Sequence, residues 1–116
     1  MAVTEQGVLP DAVPLPGHDA ADRAVVPTLG VEEEFLLVDR LTRAPVPRAG
    51  PVIEAASPFL GDLVQEEFYR CMVEVCTRPA TTATDVRAQL ALLREAAAQA
   101  ARASDCLLVA SGTDVV

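Results

Sequence analysis

Three consecutive glutamates, Glu32, Glu33 and Glu34, lie between Val31 and Phe35 inside an otherwise apolar run. If that run is a strand, alternate side chains leave opposite faces. Glu32 and Glu34 then point the same way, with β-carbons roughly 7 Å apart. At an effective dielectric of about 20, two such charges repel by about 2.4 kcal/mol. A bound cation reverses the sign of that term. Glu74 repeats the pattern, bracketed by Val73 and Val75, and Glu67 precedes it at the entrance to the same segment. If Glu32, Glu34 and Glu74 share a face, three carboxylates line one surface of a sheet. Carboxylate oxygens are the protein ligands Mg²⁺ takes, with water and phosphate completing its octahedron. An antiparallel sheet with one wet face also displays polar residues with no ion present. Spacing alone leaves both readings open.

The elements that position these acids follow from composition and period. Residues 29–38 carry strand composition at both ends, and residues 39–43 supply a turn. Residues 44–48 hold two prolines and suit a short edge strand. Pro51 can open a short helix over residues 52–57, which Pro58 ends. Residues 68–77 form a second strand. Tyr69, Cys71, Val73 and Val75 share its better core face, opposite Arg70, Met72, Glu74 and Cys76.

Threonines at residues 81, 82 and 84 offer helix caps, and Asp85 falls in the first turn, where negative charge is favoured. Val86, Leu90, Leu93, Ala97 and Ala100 then recur at helical spacing to about Ser104. Asp105 breaks the helix, residues 106–110 read as a buried strand, and Ser111-Gly112-Thr113 as a turn. The order is strand, short strand, short helix, strand, long helix, strand. It predicts an α+β fold with a mainly antiparallel sheet.

The chain has 116 residues, enough for one small domain. A net charge of −8 opposes nucleic acid and anionic membranes as partners, since both need a basic footprint. No run is long and apolar enough to span a bilayer, and no secretory signal pattern opens the chain. The three cysteines, Cys71, Cys76 and Cys106, have no metal-ligand spacing and suit small buried residues in a reducing cytoplasm. The single histidine, His18, sits in a Pro- and Ala-rich stretch, residues 1–27, that reads as a disordered leader. No Asp-rich loop of the EF-hand type occurs, which disfavours a cation-buffering domain.

Several of these motifs occur together in a known order. T-L-G-V-E-E-E-F-L-L-V-D over residues 28–39 resembles the opening motif of the glutamate–cysteine ligase type 2 family, the carboxylate–amine ligases. Val46-Pro47-Arg48-Ala49 resembles the segment that follows. Glu67 with Met72-Val73-Glu74-Val75-Cys76-Thr77 resembles the family's second acidic motif. The helix over residues 81–103 and the stretch ending in Ser-Gly-Thr come next, in the same order.

The resemblance implies a partial glutamine synthetase-like antiparallel sheet with helices packed on one face. It implies a cytoplasmic, Mg²⁺-dependent enzyme that uses ATP to phosphorylate a carboxylate. An amine then attacks the acyl phosphate; in the best-known members the pair is the glutamate γ-carboxylate and cysteine. By motif match Glu32, Glu34 and Glu74 become the metal ligands, with Glu67 a further candidate. Glu33 takes the variable middle position. No catalytic or ATP-contacting residue is carried over. Asp114-Val115 stands where the family often has His-Pro, so no substrate contact is transferred to that turn. Arg78 replaces an apolar residue or proline, and suits the surface better than the site. Residues 28–116 are therefore expected to be the N-terminal part of the catalytic domain, an incomplete one. The alternative is a non-catalytic half-domain. Small-molecule substrates, and a complementing chain or a homo-oligomer, are the partners implied.

Overall fold

The computed structural model describes residues 26–112. The expected leader falls almost wholly outside them, with His18, as do Thr113 and the Asp114-Val115 pair. The elements run β1 (Glu32–Asp39), α1 (Ala49–Leu60), a single 3₁₀ turn (Gly61–Leu63), β2 (Val64–Glu66), β3 (Met72–Cys76), α2 (Ala83–Ala103) and β4 (Cys106–Val109). The strands form one four-stranded sheet in the order β2-β3-β1-β4, antiparallel at every pairing. The fold is α+β, as the sequence predicts, with both helices on one face.

Strand parity builds the core. Phe35 and Leu37 of β1, Val73 and Val75 of β3, and Cys106 of β4 are buried against Val52, Ala56 and Leu60 of α1 and Leu93, Ala97 and Ala101 of α2. A smaller apolar cluster of Leu36, Val38 and Met72, joined by Cys71 and Leu107, occupies part of the other face.

α2 matches the expected helix closely. The Thr82 hydroxyl accepts the Asp85 N–H at 3.1 Å, satisfying one orphan donor of the first turn. Leu93, Ala97 and Ala100 of the predicted stripe are buried, and Leu90 packs partly against them. Asp105 stops the run in the left-handed region, at φ 58°. β4 is only partly buried, because it is an edge strand; Cys106 alone is fully enclosed.

Four expectations about local structure need correction. The edge strand over residues 44–48 is a single bridge between Val38 and Pro45, the prolines having removed the donors a ladder needs. α1 is longer than residues 52–57. It starts at Ala49, with Pro51 in the first turn where its missing N–H costs nothing, and runs through Pro58 to Leu60. Burial of Ala56 and Leu60 outweighs the bond lost at Pro58, and Gly61 at φ 56° ends the helix with its N–H on the Ser57 carbonyl. The strand over residues 68–77 is shorter and is preceded by β2, which the sequence does not announce. Its first residues form the β2–β3 turn, closed by the Met72 N–H on the Tyr69 carbonyl at 2.9 Å. Tyr69 is therefore exposed rather than core, and Cys71 packs on the face opposite Val73 and Val75.

The start of β1 is tied down from β3's exit. Thr77 is buried; its N–H reaches the Val31 carbonyl at 2.9 Å, and its hydroxyl accepts the Val31 N–H at 3.0 Å. Among the described residues no helix is long and apolar enough to cross a membrane.

Candidate functional site

The parity that sends Phe35 and Leu37 into the core sends Glu32 and Glu34 to the opposite face. β3 does the same with Val73 and Val75 against Glu74. The β1–β3 register sets Glu34 directly opposite Glu74, and Glu32 opposite Cys76. Glu67 arrives differently. It follows the last residue of β2, and the turn carries its carboxylate over the same face. Glu34, Glu67 and Glu74 each offer a carboxylate oxygen, and these atoms lie within 4.8 Å of one another. Three of the four predicted acids are thus brought together. Glu32 shares their face without joining the mutual cluster. Its charge is still felt at Glu74.

Glu74 carries the electrostatic consequence. Burial pushes its carboxyl up from the ordinary 4.5, a hydrogen bond with Glu67 adds to this, and repulsion from Glu32, Glu67 and Glu34 adds further. All three causes favour the neutral form. Without a counterion, burial and repulsion across this cluster raise the cost of charging Glu74. A divalent cation would relieve it by charge. Three carboxylates of mixed exposure, with Glu34 facing solvent, suit a hard cation that keeps waters and takes further oxygens from a phosphate. The donor set fits Mg²⁺.

Glu33 lies on the other face, against α2. Its carboxylate receives a bidentate bond from Arg94: Nε reaches Oε2 at 2.9 Å, and Nη2 contacts Oε1. The middle glutamate therefore ties the sheet to a helix and takes no part in the acid cluster. The sequence does not announce Arg94, because nothing in helical spacing separates it from other exposed positions of α2.

Gln65 was also missed. In register it stands opposite Glu74, but its side-chain amide turns back to the Asp62 carbonyl at 3.1 Å. Arg78 does not join the acids; it is exposed and pairs with Asp62 at 3.8 Å. Beyond β4 the chain returns toward the cluster. A β-carbon at Gly112 would sit 3.6 Å from Glu34 Oε2, so the backbone there borders the acids.

The family model of glutamate-cysteine ligase family 2 matches residues 28–115. Among similar proteins, one named "Putative glutamate–cysteine ligase 2" from Salinispora arenicola is 41% identical over 101 residues, covering 87% of this chain and 26% of its own length. A protein of similar name from Mycobacterium sp. strain KMS is 46% identical over 87 residues, covering 75% of this chain and 24% of its own length. One from Chloroflexus aurantiacus is 36% identical over 86 residues, covering 74% and 22%. The chain spans about a quarter of the length of the curated relatives it matches.

Proposed function

The chain belongs to glutamate-cysteine ligase family 2, and on that premise we propose that it supplies the cation-binding wall of an ATP-dependent carboxylate–amine ligase. The observation that carries this reading is the convergence of Glu34, Glu67 and Glu74, from two strands and a turn, within 4.8 Å. The matched stretch is read as the N-terminal part of the catalytic domain, working in the cytoplasm.

In the proposed reaction, ATP phosphorylates a carboxylate, that of glutamate in the relatives' name. An amine, that of cysteine, displaces phosphate to form an amide. Mg²⁺ held by these acids would supply the neutralisation of β- and γ-phosphate charge that such a transfer requires. The chain's own residues do the positioning. β1 and β3 hold Glu34 and Glu74 at fixed register, while the β2–β3 turn presents Glu67. Glu32 adds negative potential from the same face. The core beneath holds the strands rigid, which is what places ligands accurately.

The test is a full-length ligase carrying residues 28–115 of this chain. Glu34→Gln and Glu74→Gln should abolish ATP-dependent amide formation, because glutamine keeps size but removes charge. Glu33→Gln should leave most of it. Equal loss in all three would refute the assignment of these acids.

A further inference from the structure

The β2–β3 turn carries an arginine, Arg70, between Glu67 and Glu74. Its backbone is anchored. The Arg70 carbonyl accepts the Ala49 N–H at 2.9 Å, and the Met72 N–H closes the turn on the Tyr69 carbonyl at 2.9 Å. Its guanidinium is left exposed. Among the described residues Arg40, Arg78, Arg94 and Arg102 each reach a carboxylate, whereas Arg70 forms no ion pair and no side-chain hydrogen bond.

A polar cavity of about 320 Å³ opens beside it, walled by the first turn of α1 and by Glu66, Glu67 and Arg70. Glu67 belongs to two places at once. It lines this cavity, and it gives an oxygen to the cluster with Glu34 and Glu74. The cavity therefore abuts the proposed cation site through a shared side chain.

The charges decide what the cavity can hold. Glu66 and Glu67 repel a bare anion, while Arg70 sits unpaired among them with its donors open to a ligand. With Glu67 engaged by a cation, the guanidinium becomes the cavity's available positive charge. Mg²⁺ held by one or two carboxylates takes further oxygens from phosphate. A phosphate so bound presents other oxygens, and the planar fork of a guanidinium matches them.

We propose that Arg70 is a phosphate-contacting residue and that the cavity between the β2–β3 turn and α1 is an anion subsite for the terminal phosphates of a magnesium polyphosphate. The inference rests on the cation-site reading above and adds a second, oppositely charged subsite to it. A free carboxylate, such as that of glutamate, would meet Glu66 and Glu67 uncompensated. A phosphate chain arrives with the ion that neutralises Glu67.

Calorimetry on this chain tests it, with Mg²⁺ alone, with tripolyphosphate and with glutamate, the last two with and without saturating Mg²⁺. Arg70→Met keeps the stem and removes the charge; Arg70→Lys keeps the charge and removes the fork. Tripolyphosphate should bind the wild type only when Mg²⁺ is present. Arg70→Met should weaken that binding by about tenfold or more, and Arg70→Lys by about threefold. Affinity for Mg²⁺ alone should stay equal or rise in Arg70→Met, because a positive charge has left the neighbourhood of the acids. A turn that had merely lost its shape would weaken both. Should Arg70→Met fail to fold by circular dichroism, Arg70→Lys decides by the same pair of readings. Tripolyphosphate binding that is absent, or unchanged in the variants, overturns the proposal and leaves the cation site standing. Arg70-dependent binding of glutamate in place of tripolyphosphate assigns the cavity to a carboxylate and also overturns it. Failure of Mg²⁺ alone to bind the wild type removes the cation site, and the proposal with it.

Discussion

Glu34 and Glu74 stand directly opposite one another across the β1–β3 ladder, two like charges in the closest cross-strand relationship a sheet provides. Such a pair is destabilising on its own. The exposure of Glu34 softens the repulsion, since water screens what the apolar strand composition suggests would be severe.

Neutralising either acid should therefore stabilise the metal-free chain while removing its response to cations. Glu34→Gln should raise stability by about 0.2–1 kcal/mol in chelator. Added Mg²⁺ should raise the Tm of the wild type and leave that of the variant in place. Paired thermal melts with and without Mg²⁺ measure both effects. A wild-type Tm indifferent to Mg²⁺ would reduce this surface to an ordinary wet face.

The raised carboxyl of Glu74 sets a sign for pH. Its folded-state pKa lies above the unfolded value near 4.5, so the folded chain holds a proton that the unfolded chain releases first. In chelator, the contribution of Glu74 to stability is fully present below that value and is lost as pH rises through the folded pKa. Cation affinity runs the opposite way, weakening as the pH falls and the proton competes. Melts of wild type and Glu74→Gln in chelator between about pH 4 and 8 should show the two alike at the acid end and the variant becoming the more stable as pH rises. A variant that gains nothing over the wild type as pH rises would contradict the placement of Glu74 among like charges.

Leu93 is 3% exposed at the centre of the α2 stripe. Leu93→Ala should cost about 2–4 kcal/mol by denaturant unfolding, the transfer loss plus a cavity under the sheet. A cost near zero would mean that the helix does not hold the sheet in solution.

The most legible features were those with a strict period. Alternation across β1 separates Glu33 from Glu32 and Glu34, and the structure gives that middle acid a different partner on a different face, Arg94. The 3.6-residue recurrence from Val86 to Ala100 located α2, and its threonine cap and Asp105 fixed the ends. β2 was not legible. Val64-Gln65-Glu66 is too short to show alternation, and it becomes a strand because β3 offers an edge. Glu67 was found by its position at the entrance to the Glu74 segment and by its motif; only the β2–β3 turn explains how it reaches Glu34 and Glu74. α1 misled at both ends because proline rules are local, whereas burial of Ala49 and Leu60 is tertiary.

Direct titration of Mg²⁺ into this chain by calorimetry, with and without ATP, tests the central claim most plainly. The wild type and Glu33→Gln should both bind Mg²⁺ weakly, because phosphate oxygens and further protein groups complete the shell. Glu34→Gln and Glu74→Gln should show no binding heat. Identical isotherms for all four proteins, or no Mg²⁺ binding by the wild type in either condition, would contradict the assignment of Glu34, Glu67 and Glu74 as a cation site.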